Sequence, residues 1–163
     1  MKRSLLVCLA SATLAGCGLQ PLYAGGEGGR VAQSLRSVSV GPIDGQVGWL
    51  VRNALVDRIG NGGASAPRYR LQVELDDDIS SFGIRGDRAA TRERRTLRAR
   101  YQLVEAANGQ VVLDATAGSD AGIDVVSSEY ATVAAEQTAA ERLSTILADQ
   151  ITARVSLFLS RAR

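Results

Sequence analysis

The chain of 163 residues contains no histidine, one methionine, one tryptophan and two cysteines. Without histidine, the usual base for a serine or cysteine nucleophile is missing, and so is the commonest nitrogen ligand for a transition metal. Lysine occurs once, as Lys2, so beyond Arg3 every basic side chain is an arginine. Aromatic residues make up 4% of the chain, too few to interleave with arginine as base-stacking platforms, which argues against a nucleic-acid partner. No stretch approaches the roughly 20 apolar residues of a membrane-spanning helix. The longest candidate, "SLLVCLASATLAG", is interrupted by Ser4, Ser11 and Thr13.

That run follows Met1, Lys2 and Arg3, and a positive start before a short apolar run ending in small residues is the layout of a secretory signal. The run leads through Leu14, Ala15 and Gly16 into Cys17, a sequence that resembles the bacterial lipobox. The resemblance implies that residues 1–16 are a lipoprotein signal peptide and that Cys17 becomes the lipidated first residue. Each buried CH₂ is worth about 0.8 kcal/mol, and two or more acyl chains anchor a protein stably. Cys8 is lost with the signal, which leaves no free thiol for disulfide, metal or nucleophilic chemistry. Lys2 and Arg3 also account for the whole formal charge of +2, so the mature chain is neutral. Gly18 stands where Asp retains enteric lipoproteins in the inner membrane, so an outer-membrane location is expected.

Pro21 and the glycines from Gly25 to Gly29 make residues 17–30 a flexible tether, with one domain over 31–163. "SLRSVSVGPI", with Leu35, Val38 and Val40 in uneven alternation, predicts a first strand that Gly41-Pro42 stops. Val47, Leu50, Val51, Ala54, Leu55 and Ile59 predict a helix, with Asp44 as its cap and Gly60 as its end. In "RYRLQVELD", Tyr69, Leu71, Val73 and Leu75 alternate with polar residues. In "TLRARYQLVEA", Leu97, Ala99, Tyr101 and Leu103 do the same, opposite Arg98 and Arg100. Such alternation describes strands with one wet face. The turn "NGQ" leads to a fourth strand, and "SSFGIRGDRAA" reads as a loop whose Phe82 and Ile84 could insert into a partner.

From Ser128 the chain lacks Gly and Pro and predicts a long helix with Tyr130, Val133, Ala134, Leu143, Ile146, Leu147, Ile151, Val155 and Phe158 on its apolar face. Whether it is continuous is open. The fold class is therefore α+β: a β-α-β-β-β-α domain whose four-stranded sheet carries two helices on one face.

Two clusters are candidates for chemistry. Asp76, Asp77 and Asp78 lack the alternating spacing of a calcium loop, so a solvated strand end is the expected reading, and no metal or cofactor is implied. Arg85, Arg88, Arg92, Arg94, Arg95, Arg98 and Arg100 face only Asp87 and Glu93 locally. Arginine forks suit phosphate and carboxylate. An anion site and a balanced exposed sheet face stand about equal on the sequence.

The lipobox with "CGLQPLY", the "ATR" entering the third strand, "YQLVEAANGQVV" across a hairpin and "EYATVAAEQTAAERLSTILADQITARV" near the end resemble the LptE family of lipopolysaccharide-assembly lipoproteins, above all its alphaproteobacterial branch. The resemblance implies a non-enzymatic protein anchored to the outer membrane by acyl chains. It implies further that the domain plugs and helps assemble the β-barrel LptD and binds lipopolysaccharide on its way to the outer leaflet. Arg92, Arg94, Arg95, Arg98 and Arg100 are then the candidate lipopolysaccharide contacts, with acids of the barrel wall as the alternative, and Phe82 and Ile84 the candidate partner contacts. A periplasmic lipid carrier or receiver is the alternative function. A small hydrolase working through Asp76 to Asp78 is the weakest reading.

Overall fold

A computed structural model describes residues 29–60, 66–84 and 90–161. Cys17, the signal peptide and nearly all of the expected tether lie outside these residues. The elements run α1 (Arg30–Leu35), β1 (Val38–Val40), α2 (Gly45–Ile59), β2 (Tyr69–Ile84), β3 (Ala90–Glu105), β4 (Val111–Asp124) and α3 (Glu129–Arg161). The predicted β-α-β-β-β-α order is present, preceded by one short helix. In α1, the Gln33 N–H donates to the Gly29 carbonyl and the Arg36 N–H to that of Ala32, so Leu35 enters the core from a helix and the first strand shrinks to three residues.

The sheet order is β1-β2-β3-β4, with β1 parallel to β2 and the other pairs antiparallel. Strand β2 does not stop near Asp76. It continues to Ile84, and β3 begins at Ala90, so Phe82 and Ile84 lie on a strand and not in a loop, with Phe82 opposite Arg92 and Ile84 opposite Ala90. The alternating apolar pattern ends at Leu75 because burial ends there; main-chain pairing needs no apolar side chains and carries on. Residues 85–89, which include Arg85, Asp87 and Arg88, lie outside the described part of the chain.

Helix α2 starts at Asp44, whose carboxylate makes no capping hydrogen bond, and ends at Gly60, where φ of +90° suits a residue without Cβ. Gln46 reaches Gln137 and Arg58 reaches Asp149, so α2 and α3 run parallel at a constant offset. Helix α3 is continuous over 33 residues, about 50 Å at 1.5 Å per residue.

Val51, Leu55, Leu71, Leu103, Leu147, Ile151 and Val155 are fully buried between helices and sheet. Each such side chain contributes about 1.5–3 kcal/mol. The face of α3 set by Leu143, Leu147, Ile151 and Val155 extrapolates back to Ala139 and Thr132 at the helical period, and with Ala140 these are the buried residues of its first three turns. Tyr130 (86% exposed), Val133 (56%) and Ala134, expected on the buried face, lie off that phase and outside.

Candidate functional site

Strand parity divides the charged residues between the two faces of the sheet. Residues Leu97, Ala99, Tyr101 and Leu103 of β3 are buried toward the helices, so Arg92, Arg94, Arg98 and Arg100 stand on the opposite, open face. Arg95 has the parity of the core. Its side chain, 12% exposed, donates from Nε and Nη2 to Asp77 Oδ1 and Oδ2 at 2.8 and 2.6 Å and from Nη1 to the Glu136 carbonyl of α3 at 2.9 Å. Hydrogen bonding to Asp77 raises its pKa further above the ordinary arginine value, against the opposing effect of burial. The five candidate arginines thus do not form one surface: four share a face, and Arg95 is an internal clamp.

The same parity separates the three consecutive acids. Asp77 turns inward to Arg95, while Asp76 and Asp78 project from the open face opposite Arg98 and Thr96. Among the described residues no group of three or more acids, cysteines or histidines could hold a metal ion.

On the open face the arginines meet acids from β4. Arg92 Nε lies 3.3 Å from Asp124 and Arg94 Nε 3.9 Å from Asp120, both pairs exposed. Arg100 donates to both oxygens of Asp114 at 3.2 and 2.7 Å, and Gln102 donates to Asp114 Oδ2 at 2.9 Å. These hydrogen bonds, Arg100's first, hold the Asp114 carboxyl at about 2, below its ordinary 3.8. Arg98 has no ion pair among the described residues. The arginine run along the chain therefore becomes an alternating face, balanced by Glu74, Asp76 and Asp78 on one side and Asp114, Asp120 and Asp124 on the other. Exposed pairs of this kind are worth about 0–1 kcal/mol, so an incoming anion can displace them.

A recess of about 630 Å³ opens on this face, lined by Asp76, Arg98, Arg100, Thr116, Gly118 and Asp120 among others. Gly118 stands opposite Arg98 in the register. A Cβ there would lie 3.5 Å from Arg98 Cγ, so the missing side chain is what leaves the floor open. Nearer the tip, the Arg94 guanidinium sits 5.5 Å from the centre of the Phe82 ring, and Phe82 is 42% exposed.

The sequence profile of the LptE family, described as lipopolysaccharide-assembly, matches residues 35–155. The chain belongs to the LptE family. Among solved structures, a lipoprotein from Caulobacter crescentus is similar at 25% identity with a TM-score of 0.68, covering 82% of this chain and 97% of that one. A minor lipoprotein from Acinetobacter baumannii is similar in fold at 16% identity and a TM-score of 0.55, covering 74% of this chain and 90% of its own. Lipoprotein B from Nitrosomonas europaea shares the fold at 12% identity and a TM-score of 0.57, over 76% and 83%. A search of curated protein sequences finds no match. As an LptE-family protein, the chain is a lipopolysaccharide-assembly lipoprotein, and none of its described helices is long and apolar enough to cross a membrane.

Three contributors to the site lie outside the sequence-derived set: Gly118, Asp114 and Gln150, whose amide reaches Gly118. Asp114 and Gly118 carry a signal in the alternation of "VVLDATAGSD", since counting back from the apolar positions puts both on the polar face. Gln150 lies on a helix far along the chain and has no local signal.

Proposed function

We propose that this chain is a non-enzymatic outer-membrane lipoprotein, anchored through Cys17, that occupies the lumen of the LptD barrel, helps it assemble and holds lipopolysaccharide on its open sheet face. The observation that carries the binding reading is Arg98, an arginine without an ion pair among the described residues, beside the recess left by Gly118. Arg92, Arg94 and Arg100 flank it with carboxylate pairs that a phosphate can displace, because a doubly charged oxyanion competes well for a guanidinium fork. Arg95 has no part in the contact; it holds β2, β3 and α3 together.

The plug reading draws on the family match and on the character of the surface. The lumen of a large outer-membrane barrel is polar, and the open face presents alternating charge to it. A lipid carrier needs an apolar cavity, whereas the recesses on this face are lined by Arg, Asp, Glu, Gln and Thr as well as small residues.

The test has two arms. Detergent-solubilised full-length protein is expected to co-purify with a large β-barrel, and recovery as a lone lipoprotein counts against the plug. Arg98→Ala combined with Arg100→Ala is expected to weaken lipopolysaccharide binding with the fold intact. Unchanged binding at low salt, where such contacts are strongest, would remove the arginine assignment.

A further inference from the structure

The two outer edges of the sheet are finished differently. At the β4 edge, Gly118 turns both main-chain groups outward, and the Gln150 amide of α3 meets both, accepting from the N–H at 3.2 Å and donating to the carbonyl at 3.4 Å. A side-chain amide there takes the place of a neighbouring peptide group and closes the edge near its middle. The β2 edge is paired with β1 only from Tyr69 to Leu71. The last contact is the Gly41 N–H donating to the Leu71 carbonyl at 2.9 Å, after which Pro42 turns the chain toward α2.

Parity fixes which groups are then bare. The Tyr69 N–H and the Leu71 carbonyl both point toward β1, and the β2–β3 register runs unbroken to Phe82. The main-chain groups of Val73, Leu75, Asp77, Ile79 and Ser81 therefore point outward too. Among the described residues they meet no partner. This bare edge is about 30 Å long at 3.3 Å per residue.

Exposed edges are ordinarily blunted by charged side chains, lysine above all, or by proline, a bulge or shortness. This one carries acids. Glu74, Asp76 and Asp78 recur every second residue on the open face beside the edge, and none forms an ion pair among the described residues. We propose that the β2 edge from Val73 to Ser81 accepts an added strand, supplied by an extended segment of a partner protein with Lys or Arg at every second residue. Main-chain hydrogen bonds to the five outward positions hold such a segment. Its basic side chains fall opposite the three acids, within the 4.5–5.5 Å Cβ spacing of directly paired residues. A second copy of this chain is a poor occupant, because antiparallel self-pairing centred on the acids sets carboxylates against one another. The proposal is independent of lipopolysaccharide binding and of the barrel plug, and its test uses neither.

Amide hydrogen exchange is followed by NMR on the purified protein with a nine-residue peptide alternating valine and lysine. Two controls are a valine–glutamate peptide of the same length and the valine–lysine peptide N-methylated at alternate positions. The basic peptide is expected to slow exchange at Val73, Leu75, Asp77, Ile79 and Ser81 at least about tenfold near saturation, as new ladder bonds do, with no comparable effect from either control. Asp76→Asn with Asp78→Asn is expected to weaken its binding roughly two- to tenfold. Several results would overturn the proposal: no protection with saturating peptide, equal protection by the glutamate peptide, or undiminished binding of the N-methylated peptide. Concentration-dependent protection of the same edge without peptide would assign it to a second copy and equally overturn it.

Discussion

Arg95 and Asp77 lie on neighbouring strands two residues out of register, and the guanidinium spans that diagonal with two hydrogen bonds while a third reaches the Glu136 carbonyl. One side chain thus ties β2, β3 and α3 together near the level where Gln46, at the start of α2, meets Gln137. Toward the hairpin tip from there, the inner face of β2 lacks α2 above it, and Ile79 is 39% exposed. The clamp stabilises the sheet where the apolar core runs out.

Truncating either partner leaves the other charge in a partly dry site. Arg95→Ala or Asp77→Ala is expected to lower unfolding free energy by about 2 kcal/mol, read from denaturant midpoints. The double variant should cost less than the two single losses added together, because the second truncation removes the stranded charge. A fully additive cycle would show that the two residues act independently.

Gly48 offers a case where packing reverses a propensity rule. Glycine inside a helix ordinarily gives way to alanine with a gain of about 0.5–1 kcal/mol. Here a Cβ would lie 2.7 Å from the Ile43 carbonyl oxygen and 2.8 Å from its carbon, both main-chain atoms. Gly48→Ala is therefore expected to destabilise by about 1–3 kcal/mol. Thermal unfolding decides the sign; a stabilised variant would mean that the Ile43 segment shifts freely.

Asp114 sets an acid limit. Its folded pKa of about 2 lies below the ordinary 3.8, so the unfolded chain binds the proton more readily. The contribution of the Arg100–Asp114–Gln102 group is present above pH 4 and is lost as pH falls toward 2. Asp114→Asn should flatten that part of the stability profile and lower stability slightly near neutrality, where the wild-type contribution is present and its exposure keeps it small. An unaltered acid limb in the variant would assign the loss to other carboxylates.

The apolar alternation of β2 and β3 and the composition of α3 made most of the layered fold readable from sequence, because burial on one face writes a period of two or 3.6 into the chain. The pattern fades wherever burial stops. Phe82 and Ile84 looked like loop residues since no apolar pattern accompanies the far hairpin. Tyr130 and Val133 looked like core residues since hydrophobicity alone does not fix helix phase. Arg95 and Asp77 sit among like-charged neighbours along the chain, although the parity set by Leu97 and Leu75 places both on the inner face. The pairing of Arg92, Arg94 and Arg100 with β4 acids depends on register, which in turn depends on the irregularity between Leu103 and Val104.

Gly118 separates the recess from the fold that carries it. Its φ is not in the left-handed region, and an added Cβ meets Arg98 Cγ and the Leu97 carbonyl oxygen at 3.5 Å, ordinary contact distances. Its main-chain bonds to Gln150 use no side-chain position. Gly118→Val should therefore fold normally, and a β-branched residue in place of a strand glycine should hold or raise stability by up to about 1 kcal/mol. The valine fills the floor beneath Arg98 and restricts its swing toward an anion. Lipopolysaccharide binding by the purified protein should fall, by a smaller factor than for Arg98→Ala, with the unfolding midpoint unchanged or higher. Full binding in a stably folded Gly118→Val protein would move the anion site away from the recess, to the exposed pairs of Arg92 and Arg94 nearer the hairpin tip.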